Sequence, residues 1–164
     1  MITQDELKRL LHYDPETGDF TWLVARKGTL RCKTAGTKHN RGYRTIHLNY
    51  KCYLAHRLAW LYMMGDWPKH TIDHINGIRD DNRWSNLREA TRQENNFNSS
   101  SRKLSSSVYK GVFWAKRNKK WISKINFNNK QIHIGYFDCE IEAAKAYNEE
   151  AKKRYGDFAN LNPV

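Results

Sequence analysis

Asp73 and His74 are adjacent, are followed at once by Asn76-Gly77, and have Asn86 and Asn95 further along the chain. Breaking a phosphodiester with water needs a base to make hydroxide, and a divalent cation to neutralise charge on the phosphate and leaving oxygen. Histidine suits the base because a pKa near ~6.5 leaves it mostly neutral at physiological pH. A hard cation such as magnesium prefers oxygen ligands, and Asp73 offers a charged oxygen and Asn95 a neutral one. Asp-His before Asn-Gly is, in isolation, only a turn sequence. What lifts it above that is the ordered company of Asn86, Asn95 and the upstream pair His56-Arg57.

These residues need elements to hold them. Thr71-Ile-Asp-His-Ile75 reads as a short strand ending at Asn76-Gly77, and Asn86-Leu-Arg-Glu-Ala90 as a second one after a polar loop. Thr91-Arg-Gln-Glu94 is a capping box, so a helix should begin at Arg92 and carry Asn95. Adjacent strand residues face opposite sides, but the twist at a strand end lets Asp73 and His74 turn towards one cation. Upstream, Thr3 and Glu6 box a helix over Thr3 to Leu11, Tyr13 to Asp19 is a turn, and Phe20-Thr-Trp22 is extended. The Gly- and Lys-rich stretch to Arg41 reads as loop or arm. Tyr43 to Leu48 and Cys52 to Leu54 form a hairpin turning at Asn49-Tyr50-Lys51, and a helix runs from Ala55 to Met64 with Gly65 as its stop.

Past Asn98 the composition changes. Residues 99–107 hold six serines in nine positions, too little apolar content to pack, and read as a linker. Beyond it, Tyr109 to Trp114, Trp121 to Phe127 and Ile132 to Phe137 read as three strands, with Asn128-Asn129-Lys130 as a turn. Asp138 then caps a helix to Tyr155 whose Ala143, Ala144, Ala146, Tyr147 and Ala151 make a small-residue face that can lie close to a sheet. The other face of that sheet stays open.

The chain of 164 residues holds 29 Lys and Arg against 17 Asp and Glu, a net charge of +12, which suits a polyanion better than a neutral metabolite. The bases are segregated. Phe20 to Gly65 contains nine and no acid, and Tyr109 to Phe137 contains seven and no acid, giving two separate basic surfaces. No apolar run approaches the ~20 residues of a membrane span, and the start lacks the order of a signal peptide, so a soluble cytoplasmic protein is expected. Cys32, Cys52 and Cys139 are odd in number and without a CxxC pair, which indicates neither a disulfide framework nor a zinc site.

Ile72-Asp-His-Ile-Asn-Gly77, then Asn82-Arg-Trp-Ser-Asn-Leu-Arg88, then Glu94-Asn-Asn-Phe-Asn98, with Ala55-His-Arg-Leu-Ala-Trp60 ahead of them, closely resemble the HNH endonucleases of phages and mobile introns. The resemblance implies a ββα-metal (His-Me finger) core holding one metal. It assigns His74 as general base, Asn86 as the residue bracing the loop and orienting His74, and Asp73 with Asn95 as metal ligands. Where the family often has a histidine this chain has Asn95, as in a subtype with asparagine there, which favours an oxygen-preferring metal, magnesium or alternatively manganese, over zinc. His56 stands open between a core hydrogen bond and a phosphate contact, and Arg57, Arg79 and Arg83 between phosphate and solvent. Of these, His56, Arg57 and Arg83 are taken as DNA-contacting.

Tyr109-Lys-Gly-Val112, Lys119-Lys-Trp-Ile-Ser-Lys-Ile125, Ile134-Gly-Tyr-Phe137, Glu142-Ala-Ala-Lys-Ala-Tyr147 and Gly156-Asp-Phe-Ala-Asn-Leu-Asn162 resemble the APETALA2-type (ethylene-response-factor) DNA-binding domain. Such domains lay a three-stranded sheet in the major groove. The resemblance places Lys110, Phe113, Trp121, Lys124 and His133 on the contact face and Lys116, Arg117, Lys120 and Lys130 on phosphate, with Trp114 and Tyr136 as core or platform. Plant members have arginines where this chain has Lys110 and Phe113, so the sheet is expected to grip backbone more than it reads bases.

The resulting expectation is an α+β protein: a ββα-metal nuclease core followed by a small three-stranded antiparallel sheet packed on one helix. Its domains are 1–98 (nuclease, with an N-terminal basic DNA-contacting region), 99–107 (linker) and 108–164 (DNA binding). It is expected to cut double-stranded DNA with one divalent cation and no small-molecule cofactor, as a monomer or weak dimer whose monomer nicks one strand. The alternatives are a DNA-binding regulator on a relict nuclease fold and, less naturally, an RNA binder.

Overall fold

The computed structural model describes residues 1–25, 33–99 and 106–164. The chain divides into two compact units, Met1–Arg92 and Gln93–Val164. The serine-rich run falls largely on residues 100–105, outside the described residues, as does the basic segment 26–32 of the expected N-terminal arm.

The first unit opens with helix α1 (Gln4–Leu10), which Thr3 caps by accepting a hydrogen bond from the Glu6 N–H at 3.3 Å. Strands β1 (Leu11–Tyr13) and β2 (Phe20–Trp22) form an antiparallel hairpin. A three-stranded sheet follows in the order β3 (Thr37–Lys38), β4 (Arg44–Leu48), β5 (Lys51–Leu54). Asn49 and Tyr50 turn β4 into β5 with φ of 48° and 61°, the left-handed pair a tight hairpin turn needs. Helix α2 (Ala55–Met64) comes directly after β5 and ends on Gly65 at φ 88°. Strands β6 (Thr71–His74) and β7 (Leu87–Ala90) then pair antiparallel, joined by a loop closing in a 3-10 turn at Trp84–Asn86.

The stretch read as loop up to Arg41 is more ordered than its composition implies. Ala35 is fully buried and its N–H donates to the Phe20 carbonyl at 2.6 Å, and Thr37–Lys38 pairs with β4. Ordering follows because burying Ala35 against the β1–β2 hairpin leaves its backbone no water partner, so the backbone must pair with protein. The core gathers Leu7, Leu11, Tyr13, Phe20, Ile46, Leu48, Leu58 and Leu61, and takes one residue from each strand of the last hairpin, Ile72 and Leu87. Fully buried side chains of this kind contribute about 2 kcal/mol each. That anchorage fixes β6 and β7, and with them the residues at the strand end.

The second unit begins with helix α3 (Arg92–Phe97), whose first residue belongs to the other unit. Strands β8 (Val112–Ala115), β9 (Lys120–Phe127) and β10 (Lys130–Phe137) form an antiparallel sheet in the order β10-β9-β8. Asn128 and Asn129, at φ 50° and 59°, make the β9–β10 turn. Helix α4 (Glu140–Tyr155) covers one face through Ala143, Ala144, Tyr147 and Ala151. Its N-cap is Cys139 rather than the expected Asp138, whose carboxylate instead pairs with Lys120 at 3.2 Å. Gly111, at φ 77°, lies so close to Tyr147 that a Cβ there would fall 2.2 Å from its ring. Phe97 of α3 stacks on Tyr155 with centroids 3.9 Å apart, which ties α3 into this core. Among the described residues no helix is long and apolar enough to cross a membrane.

Candidate active site

The site is built on the loop between β6 and β7. Asn86, 7% exposed, closes it with every group of its side chain. Its Nδ2 donates to the Asp81 carbonyl at 2.8 Å and to Asn76 Oδ1 at 3.0 Å, and its Oδ1 accepts from the Asn76 N–H at 3.0 Å. Its backbone carbonyl takes the Ile75 N–H at 2.9 Å. An apolar residue at this position would remove three hydrogen bonds from the loop at once.

The side-chain hydrogen bonds of Asn86 run to Asn76 and Asp81. The imidazole is held by Asn82, 1% exposed, through a 3.2 Å contact between His74 Nε2 and Asn82 Oδ1. With the proton on Nε2 and donated to that oxygen, the lone pair of the neutral ring is on Nδ1. Asn82 is held in turn from far upstream. Tyr13 donates its hydroxyl to the Asn82 carbonyl at 2.7 Å, and the Pro15 carbonyl accepts from the Trp84 N–H at 2.9 Å. Gly18, at φ 78°, comes so close that a Cβ there would lie 2.4 Å from the Arg83 nitrogen. The β1–β2 turn thus clamps the loop that positions the base, and it does so by backbone approach, which only glycine permits.

Burial lowers the pKa of His74, with the field of Arg79 acting in the same direction and Asn82, Asp73 and Asp81 opposing. A neutral base is the form that accepts a proton, so the shift keeps His74 competent below the usual histidine range. Behind it lies His56, on the first turn of α2, its ring edge-on to His74 at 5.0 Å and 80°. Tyr43 contacts both, at 5.3 Å from His56 and 6.1 Å from His74. His56 is 4% exposed, and burial, followed by the charges of His74 and Arg57, drives its pKa down to about 3. Its expected place on the DNA surface is therefore corrected: helix α2 starts immediately after β5 and turns this side chain inward.

Asp73 is also buried, and its Oδ2 accepts from Nε and Nη2 of Arg88, its cross-strand partner, both at 2.9 Å. A carboxylate has about four acceptor positions, so this ion pair is compatible with a cation on the same group. Asp81 is pulled down to about 2 by Arg83, assisted by Asn76 and the Arg83 N–H. Arg83 is thereby committed to Asp81, at 2.8 Å and 2.6 Å, and Arg57 lies over the Trp67 ring at 5.8 Å. Asn95 is exposed on α3, in the second unit. Among the described residues no three of His, Cys, Asp and Glu converge in a metal-binding group. Oxygen donors of the kind Asp73 and Asn95 carry suit a hard cation.

Residues 53–97, spanning His56, the hairpin and α3, match the HNH endonuclease family. Over 113 residues the chain is 31% identical to Protein 3.8 of Escherichia phage T7, covering 68% of this chain and 93% of that one. The chain belongs to the HNH endonuclease family. It is a DNA-cleaving hydrolase. It is also 37% identical over 93 residues to an uncharacterized HNH endonuclease of Acanthamoeba polyphaga mimivirus, covering 57% of this chain and 47% of that one. A solved structure describing DNA binding and cleavage by the HNH homing endonuclease I-HmuI is similar at 25% identity and a TM-score of 0.40, over 52% of this chain and 48% of that one.

Outside the HNH segment, the second unit presents the uncovered face of its sheet. Strand register places Phe113, Ile122 and Tyr136 in one row and Lys124 beside His133 in the next. The register shifts between His133 and Gly135, and this bulge brings His133 and Tyr136 to one face with ring centroids 4.7 Å apart. Tyr136, 48% exposed, is therefore a surface residue. Two expected contacts are corrected. Trp121 is in register with Trp114 and Phe137 and packs with Phe137 against Val112, Ala143 and Ala144, on the helix side. Lys110 donates its ammonium to the Phe97 carbonyl, and burial lowers its pKa to about 8, so it fastens α3 rather than facing outward. Lys116, Arg117 and Lys130 are exposed beside the strand ends, and Lys120 is paired with Asp138.

Proposed function

We propose that the chain is a metal-dependent DNA endonuclease of ββα-metal type, with His74 as general base, Asp73 as a metal ligand and Asn86 as the brace of the loop. The observation that carries this reading is the β6–β7 loop, braced by the buried Asn82 and Asn86. It holds His74 by its Nε2 at a strand end, next to Asp73, with no polar group of the bracing Asn86 side chain wasted. In the reaction His74 takes a proton from water, the resulting hydroxide attacks phosphorus, and the bond to the leaving oxygen breaks. A bound divalent cation, magnesium or manganese, would neutralise charge on the phosphate and the leaving oxygen. Asn82 keeps the imidazole in register throughout, and Asn86 prevents the loop from opening. One site on one chain corresponds to nicking by a monomer.

In the same reading the second unit is an APETALA2-type module that grips duplex DNA. The support is its open face, with Phe113, Lys124, His133 and Tyr136 exposed or half-exposed and Lys116, Arg117 and Lys130 around it. A regulator on a relict nuclease fold is the second reading, favoured by one observation: the Asp73 carboxylate is engaged by Arg88. Supercoiled plasmid distinguishes them. The nuclease converts it to open circles with magnesium or manganese and not with chelator. Intact plasmid with every divalent metal tried, alongside a clear gel shift of duplex DNA, would establish the regulator.

A further inference from the structure

Three arginines lie between Thr71 and Ala90, and they keep different company. Arg83 is held by Asp81 and Arg88 by Asp73. Arg79 has no carboxylate within ion-pair distance among the described residues. Its guanidinium lies over the Tyr43 ring, 5.0 Å from the centroid, and its Nη1 donates to the Arg41 carbonyl at 2.9 Å. The side chain runs past Gly42, where a Cβ would meet Arg79 Cβ and Cδ at 3.9 Å. Tyr43 is the same ring that contacts His56 and His74. A guanidinium has five N–H donors in a rigid plane, and only one of them is used by the Arg41 carbonyl. An arginine stacked on an aromatic face and tethered at one nitrogen is aimed without being neutralised, the condition under which its fork can grip a phosphate.

We propose that Arg79 is a catalytic residue of this endonuclease, holding a non-bridging oxygen of the scissile phosphate beside His74, with Tyr43 and the Arg41 carbonyl fixing its aim. The inference rests on the nuclease reading. Arg79 moves no proton: it donates hydrogen bonds and positive charge to an oxygen whose negative charge grows as water attacks and the leaving oxygen departs.

The test uses the full chain. Arg79→Ala, an exposed position, is expected to slow plasmid nicking at saturating DNA on the order of 100-fold. It should also reduce the salt slope of duplex binding by about one. Arg79→Lys, which keeps the charge and loses the stacked fork, should restore the slope but only part of the rate. Nicking by Arg79→Ala within threefold of wild type, or an unchanged slope, overturns the proposal. The slope reads Arg79 whether or not the protein cuts. A wild type that leaves plasmid intact while Arg79→Ala still lowers the slope therefore overturns the nuclease reading and keeps Arg79 on phosphate.

Discussion

The two units use the same device to different ends. Each is fastened by an asparagine that bridges distant backbone. Asn86 closes the β6–β7 loop, and Asn162 accepts the Lys110 N–H at 2.7 Å and donates to the Lys110 carbonyl at 3.1 Å, pinning the end of the chain beside β8. In the first unit the lock holds polar side chains in the interior: Asp73, His74, Asn82 and Asn86 are all at most 7% exposed. In the second it leaves the sheet surface open, with Phe113 at 42% and Tyr136 at 48%. Chemistry needs groups that do not move and that feel little water, whereas grip on a polyanion needs charge at the surface. The contrast teaches that damage to the first lock should be read out as lost cleavage and damage to the second as lost affinity.

The sharpest way to break that contrast is to remove the locks in turn. Asn86→Ala is expected to cost about 3 kcal/mol of stability through three lost hydrogen bonds and to slow nicking at least 100-fold. Asn162→Ala should destabilise by a comparable amount and change the nicking rate at saturating DNA only a few-fold. Urea denaturation and plasmid kinetics on both variants check this, and equal loss of cleavage would erase the distinction between the units. Next in size is Gly18→Ala, whose Cβ would meet the Asn82–Arg83 backbone at 2.4 Å at a positive φ. A loss of about 2–3 kcal/mol with impaired nicking is expected. Gly77→Ala, with nothing within 4 Å, should cost only the φ strain, about 1 kcal/mol.

A pH effect separates the units further. His56 is driven from 6.5 to about 3 by burial, so the folded state binds fewer protons than the unfolded chain in that interval. Stability should therefore be complete above pH 6.5 and fall progressively as pH drops towards 3. His56→Phe should flatten that fall in thermal melts, and a variant that keeps the wild-type slope would remove His56 as its source. The smallest expected effect belongs to the open face. Replacing Lys116, Arg117 and Lys120 together by alanine should lower the salt slope of binding by up to about three, with the Lys120 share reduced by its pairing to Asp138, and leave nicking at saturating DNA near wild type.

Much of this was legible in the sequence where the signal is local. The strand, loop, strand and helix order around Asp73, His74 and Asn86 follows from turn residues and a capping box, and Asn86 is indeed the residue that closes the loop. The contact of Asn82 with His74 was not legible. Asn82 is one of several polar residues in a polar loop, and the groups that fix it, Tyr13, Pro15 and Gly18, come from a hairpin some seventy positions away in chain order with no local pattern to announce the contact. Strict alternation places His133 and Tyr136 on opposite faces, and only the bulge between His133 and Gly135 brings them together. The resemblance puts Trp121 and Lys124 on one face, whereas alternation along β9 puts these two residues, three positions apart, on opposite faces. The serine run marks a change in composition, yet α3 joins the second core through Phe97, because an aromatic stacked on Tyr155 outweighs proximity along the chain.

The most direct test of the central claim is single-turnover nicking of supercoiled plasmid by His74→Ala with magnesium, at a protein concentration where gel shift shows the DNA fully bound. A buried His74 acting as the base requires that binding persist and nicking fall by at least 100-fold. Nicking at the wild-type rate by His74→Ala would contradict it, and the site would have to be sought elsewhere in the chain.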